Sequence, residues 1–119
     1  MGVRTDLNKE PTFPNRDSEF IYMNDVIKDI DFHSRGQFDR KLKIARDNFS
    51  YTITKTPSMF FVQNGKKRKP TIDELKQLSS FPKDFKLKGN FSQKWGMIGN
   101  GVPPKLTEKI GETVLNRIL

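Results

Sequence analysis

A covalent nucleophile or a zinc site would most simply be announced by cysteine, and the 119 residues contain none. That absence excludes disulfides, thiolate metal sites and a cysteine nucleophile carried by this chain. The single histidine, His33, sits in a charged stretch with no His or Cys beside it. Its setting predicts a solvated surface histidine rather than a metal ligand. Asp29 and Asp31 flank Ile30 at strand-like spacing, but two carboxylates so placed arise often by chance and do not make an acid–base pair held in a cleft. Gly96, Gly99 and Gly101 cluster without the spacing of a dinucleotide fingerprint or a phosphate-binding loop. Generic motifs give no catalytic constellation.

Binding chemistry is better represented. Lys and Arg number 22 against 14 Asp and Glu, a formal net charge of +8 and a pI of about 9.8. Such a balance favours a polyanionic partner, because Lys and Arg release counterions from phosphates. The run Lys66-Lys67-Arg68-Lys69 reads first as a solvated turn, and second as a phosphate contact or localisation signal. Ser34-Arg35-Gly36-Gln37-Phe38-Asp39-Arg40-Lys41 mixes side chains that pair with base edges and phosphates with a flexible Gly. An ordinary mobile loop has the same composition, so this segment stays open on composition alone.

The elements that must position these residues are short. Apolar residues are 34% of the chain, though ten Phe and one Trp supply large side chains, enough for a small core. Asn24-Asp25 before Val26, Ile27 and Ile30 predicts a short capped helix, and Phe32 to Lys43 an exposed loop or hairpin. Phe49 to Thr54 and Ser58 to Gln63 are β-branched and aromatic, which predicts two strands paired as an antiparallel ribbon, the second ending at the turn Asn64-Gly65. Thr71-Ile72-Asp73-Glu74 is a capping box. Ile72, Leu75 and Leu78 follow at helical spacing, and Phe81-Pro82 closes that helix. Phe81 to Val102 reads as largely loop. A last helix starts at Pro103-Pro104 and carries one apolar stripe, Leu106, Ile110, Val114 and Ile118. The fold class is α+β. With more than half the chain outside these elements, against ~40% in ordinary domains, it looks like part of a larger fold. No signal peptide or membrane span is visible, so a soluble, cytoplasmic protein is expected.

Two stretches are far more specific. Arg68-Lys69-Pro70-Thr71-Ile72-Asp73-Glu74-Leu75, then Ser80-Phe81-Pro82-Lys83-Asp84-Phe85, resembles the ninth conserved motif of the cytosine-5 DNA methyltransferases, R-x-L-T-x-R-E followed by Phe-Pro-Asp-x-Phe. Further on, Ser92-Gln93-Lys94-Trp95-Gly96-Met97-Ile98-Gly99-Asn100-Gly101-Val102-Pro103-Pro104 resembles the tenth, Q-x-x-x-x-I-G-N-x-V-P-P. Upstream, Gly2 to Asn8 is similar to the strand after the eighth motif, and Asn24 to Ile30 to the helix leading into the target-recognition region. Thr52-Ile53 falls at the family's Thr-Leu or Thr-Ile pair. Pro70 and Asp73 depart from the usual Leu and Arg.

The resemblance implies a division into residues 1–30 (the segment after the eighth motif and the leading helix), 31–66 (target recognition), 67–90 (ninth motif) and 91–119 (tenth-motif turn and C-terminal helix). It also implies that the C-terminal helix completes a Rossmann-like catalytic domain absent from this chain. The family's Pro-Cys nucleophile segment would lie there, so no residue of this chain is expected to be catalytic and the chain alone should be inactive. In such enzymes a flipped cytosine is attacked at carbon 6 and methylated at carbon 5 from S-adenosylmethionine. By resemblance, Gln37 and Arg40 would read bases of double-stranded DNA, Thr52 would hold a backbone phosphate, and Asn100, Gly101 and Val102 would border S-adenosylmethionine. Gly101 would allow close backbone approach. The partner would be a polypeptide carrying the first eight motifs, within a restriction–modification system. Two other readings stand beside this one: a DNA-binding module with no catalytic partner, and the inactive remnant of a broken gene.

Overall fold

The Asn64-Gly65 pair turns the chain as expected: φ is 53° at Asn64 and 76° at Gly65, the left-handed pair of a two-residue hairpin. The computed structural model describes residues 2–15, 21–36 and 41–118. A single 3-10 turn, Thr5–Leu7, precedes α1 (Met23–Val26), β1 (Phe32–Ser34), β2 (Lys43–Ile44), β3 (Phe60–Gln63), β4 (Lys66–Arg68), α2 (Ile72–Leu78), α3 (Phe91–Asn100) and α4 (Pro104–Thr113), which runs on as a π-helical turn, Val114–Ile118. The strands form one antiparallel sheet in the order β2-β1-β3-β4. His33 stands opposite both Lys43 and Phe61, and Phe61 opposite Arg68. This mixture of sheet and helices is the expected α+β.

Gly2 to Asn8, likened to a strand, holds the 3-10 turn instead, and three further sequence expectations fail for a visible reason. Phe49 to Thr54 is no strand. Both edges of β3 are taken, by β1 on one side and β4 on the other, so the predicted ribbon has nowhere to form. Lys66 to Arg68, expected as a solvated turn, is the edge strand β4, where exposed lysines discourage further pairing. The supposed loop between Phe81 and Val102 contains α3. Its start was written in Asn90-Phe91-Ser92-Gln93: the Asn90 Oδ1 accepts from the Gln93 N–H and the Gln93 Oε1 from the Asn90 N–H, both at 2.9 Å. Two internal glycines obscured it, because glycine disfavours helix.

α1 is shorter than expected and begins before its supposed cap. The Asp25 carboxylate, inside the helix, accepts from the Tyr22 N–H at 2.8 Å. The capping box of α2 forms as read: the Glu74 N–H donates to the Thr71 hydroxyl at 3.2 Å and the Thr71 N–H to Glu74 at 2.9 Å. Arg68 adds a two-pronged ion pair to the same carboxylate, at 2.8 and 2.9 Å, fastening β4 to α2. Burial alone would raise the Glu74 pKa, but its bonds from Arg68 and Thr71 outweigh that and hold it below the ordinary value.

The core gathers Met23, Ile27 and Ile30, Ala45, Met59 and Phe61, Leu75, and Trp95 and Ile98, so sheet and the first three helices share one interior. The radius of gyration is 17.2 Å, against ~13.5 Å for a compact chain of this length. Of the predicted α4 stripe, Leu106 and Ile110 are exposed, Val114 is half-buried and Ile118 is buried.

Candidate functional site

Lacking a strand partner, residues 50–55 lie over α3. The Trp95 indole Nε1 donates to the Thr54 carbonyl at 2.9 Å, and the indole is fully buried. Gly99, one turn further along α3, meets the same segment. A Cβ on Gly99 would lie 2.8 Å from the Lys55 nitrogen and closer still to the Thr54 carbonyl, so nothing larger than glycine fits.

This packing brings Thr52 to the turn after α3. A cleft of about 260 Å³ is lined by Thr52, Ile53, Ser79, Ile98, Gly101 and Pro103, among others. Thr52 is exposed at its edge. Gly101 ends α3 with φ −81° and ψ 150°, a conformation open to any residue. Its lack of a side chain matters through crowding instead, since a Cβ would stand 3.2 Å from the Phe81 ring. Asn100, exposed, lines a second cleft of about 370 Å³ with Lys55, Ser92, Gln93 and Met97. Val102 is 60% exposed. Of the six residues singled out from sequence, the fold brings Thr52 and Gly101 to one cleft, with Asn100 and Val102 on the adjoining turn. Gln37 and Arg40 lie outside the described residues. The stem before them is fixed at Gly36, whose φ of +91° and contact with the Ser58 carbonyl both demand glycine.

A cleft of about 640 Å³ was not anticipated. Lys76, Lys83, Lys86, Lys88 and Lys94 line it, with Asp73 and Asp84 as the only acidic side chains. Lysines at 83, 86 and 88 were legible in the sequence, but their convergence with Lys76 and Lys94 needs α2 and α3 side by side. Of the basic run 66–69, Arg68 is spent on Glu74, and the Lys69 ammonium donates to the Pro57 carbonyl at 2.6 Å.

His33 overturns its expectation. It is 0% exposed, in β1, one of the two inner strands of the sheet, edge-on to the Tyr51 ring at 5.4 Å. Neither ring nitrogen has a hydrogen-bond partner among the described residues. Burial, and then the charge of Lys43, lower its pKa from 6.5 to about 4, so the imidazole is neutral at pH 7. A histidine looked solvated because its neighbours in sequence are charged, but β1 sets it opposite the fully buried Phe61 and against the Tyr51 ring. No metal-binding cluster of His, Cys, Asp or Glu exists among the described residues. Asp31 is a structural acceptor, bonded by the Asn64 N–H at 3.1 Å.

Together these features are a lysine-lined cleft and a second cleft with the Thr52 hydroxyl at its edge, surfaces suited to a polyanion. Residues 4–116 match the sequence model of the C-5 cytosine-specific DNA methylases. A stretch of 51 residues is 39% identical to the type II methyltransferase M.AplI of Arthrospira platensis, covering 43% of this chain and 15% of that protein. Among the described residues, no helix is long and apolar enough to cross a membrane. With nearly its whole length matched, the chain belongs to the C-5 cytosine-specific DNA methylase family.

Proposed function

We propose that this chain is the C-terminal part of a DNA (cytosine-5-)-methyltransferase, supplying target recognition and one edge of the S-adenosylmethionine site. The meeting of Thr52 with the Gly101 turn in one cleft carries the reading, because the family needs its phosphate contact and its methyl donor close together. Residues 31–66 are then the recognition region, 67–90 and 91–119 the ninth- and tenth-motif segments, and 1–30 the connection to the catalytic domain.

Each residue has a role set by its chemistry. The Thr52 hydroxyl donates to a backbone phosphate beside the flipped nucleotide, which positions the duplex without specifying sequence. Gln37 and Arg40 read base edges in the major groove. The exposed Asn100 amide, the Gly101 backbone and the Val102 methyls form an open edge rather than an enclosure, which fits a site shared with a second polypeptide or domain. S-adenosylmethionine, when bound, supplies the methyl group. The thiolate that attacks carbon 6 comes from the partner bearing the first eight motifs, since this chain has no Cys. A restriction–modification system, in the cytoplasm, is the setting in which such an enzyme protects its own DNA.

Reconstitution tests the proposal. Labelled methyl transfer to DNA should be absent from the purified chain and appear when a polypeptide carrying the first eight motifs is added. Activity from the chain alone, or none from the mixture, would refute it.

A further inference from the structure

We infer that Trp95 and Gly99 of α3 are positioning residues for Thr52: together they set where its hydroxyl stands above the Gly101 turn, and hence whether it reaches the DNA phosphate. The inference rests on the Thr52 role proposed above and adds what holds that residue in place.

Residues 50–55 belong to no strand, so no ladder of backbone bonds fixes their height. Two contacts from α3 hold it, beside the partly buried Tyr51 and Ile53 that pack on the core. The Trp95 Nε1–Thr54 carbonyl bond, spanning 41 positions, pulls the segment down. Gly99 lets the Thr54 carbonyl and Lys55 nitrogen settle directly on the helix. Glycine in a helix interior is destabilising relative to alanine, so its presence here is explained by the close approach. Gly96 provides the contrast within the same helix: a Cβ there would sit 3.6 Å from Lys55, an ordinary contact. Because Asn100 and Gly101 directly follow Gly99, the same few residues fix both the DNA-facing threonine and the turn proposed for the methyl donor. An added methyl at Gly99 must lift Thr54, and Thr52 with it, away from the Gly101 side of the cleft.

The test is a cycle between protein and DNA substitutions in the reconstituted enzyme. Duplexes carrying the methylated sequence receive one uncharged methylphosphonate, scanned across the phosphates flanking the target cytosine, and Kd is measured for each. In the unsubstituted enzyme one position should weaken binding by about tenfold, as expected for a charge-assisted hydrogen bond. Thr52→Ala should abolish that sensitivity. Gly99→Ala should abolish it as well, whereas Gly96→Ala should leave it intact. Trp95, the one tryptophan, reports through its emission that the Gly99→Ala core is still closed. Should that variant fail to fold, Trp95→Phe, which keeps a ring but removes the donor, enters the same cycle. Loss of sensitivity in Thr52→Ala with full sensitivity in the α3 variant overturns the positioning role alone. Sensitivity that survives Thr52→Ala overturns the phosphate role of Thr52, and the inference with it.

Discussion

Acid should loosen this protein through one side chain. His33 is fully buried, its ring nitrogens have no hydrogen-bond partner among the described residues, and the Lys43 ammonium lies across the strand from it. Its pKa is therefore about 4 in the folded chain, against 6.5 when exposed. The sign follows from proton uptake. Above pH 6.5 the imidazole is neutral in both states and pH has no effect through it. As pH falls below 6.5 the unfolded chain gains a proton that the folded chain refuses, so stability drops until about pH 4, where the folded form also protonates. At 1.36 kcal/mol per tenfold, the loss is ~2 kcal/mol at pH 5 and on the order of 3 kcal/mol at pH 4. His33 is the only histidine, and no other side chain has an ordinary pKa between pH 5 and 8, so the upper window isolates it. Urea unfolding at pH 7 and pH 5, followed by Trp95 emission, measures the difference. His33→Phe keeps the edge-on contact with Tyr51 and should flatten the profile. An equal loss between pH 7 and pH 5 in both proteins would falsify this account of the buried imidazole.

Three further outcomes are expected. Thr71→Ala removes the hydroxyl that caps α2 and should cost ~1 kcal/mol of stability in the same denaturation assay; no change would mean that the Glu74 half of the box suffices. Arg40→Ala in the reconstituted enzyme should relax discrimination at one base pair by ~1–3 kcal/mol, read from Kd on singly substituted duplexes, and a uniform loss on all sequences would make it a phosphate contact. Leu106 and Ile110 are exposed on α4, and burying each is worth ~1.5–3 kcal/mol. Hydrogen exchange across residues 104–118 should therefore slow when the catalytic partner is added, and equal protection with and without it would refute a covered stripe.

Local chemistry was legible in the residues themselves. The Thr71–Glu74 box, the Asn64-Gly65 turn and the proline start of α4 each depend on a few neighbouring groups, so sequence alone determined them. The family was legible too: the resemblance read at residues 68–85 and 92–104 pointed to the family whose sequence model matches residues 4–116. What sequence could not decide was which partner each segment finds. Phe49 to Thr54 has strand chemistry, yet the edges of β3 are filled and α3 offers its carbonyls a bond instead. Gly99 looks like a helix breaker until that segment is laid across it. His33 has charged neighbours along the chain but Phe61 and Tyr51 in space, and its neutrality follows from the latter. The cleft that joins Thr52 to Gly101 is likewise a product of α3 crossing the segment 49 positions earlier in the chain. Periodicity and capping act over a few residues, whereas burial and competition for strand edges are settled between distant ones, and only the assembled fold contains that information.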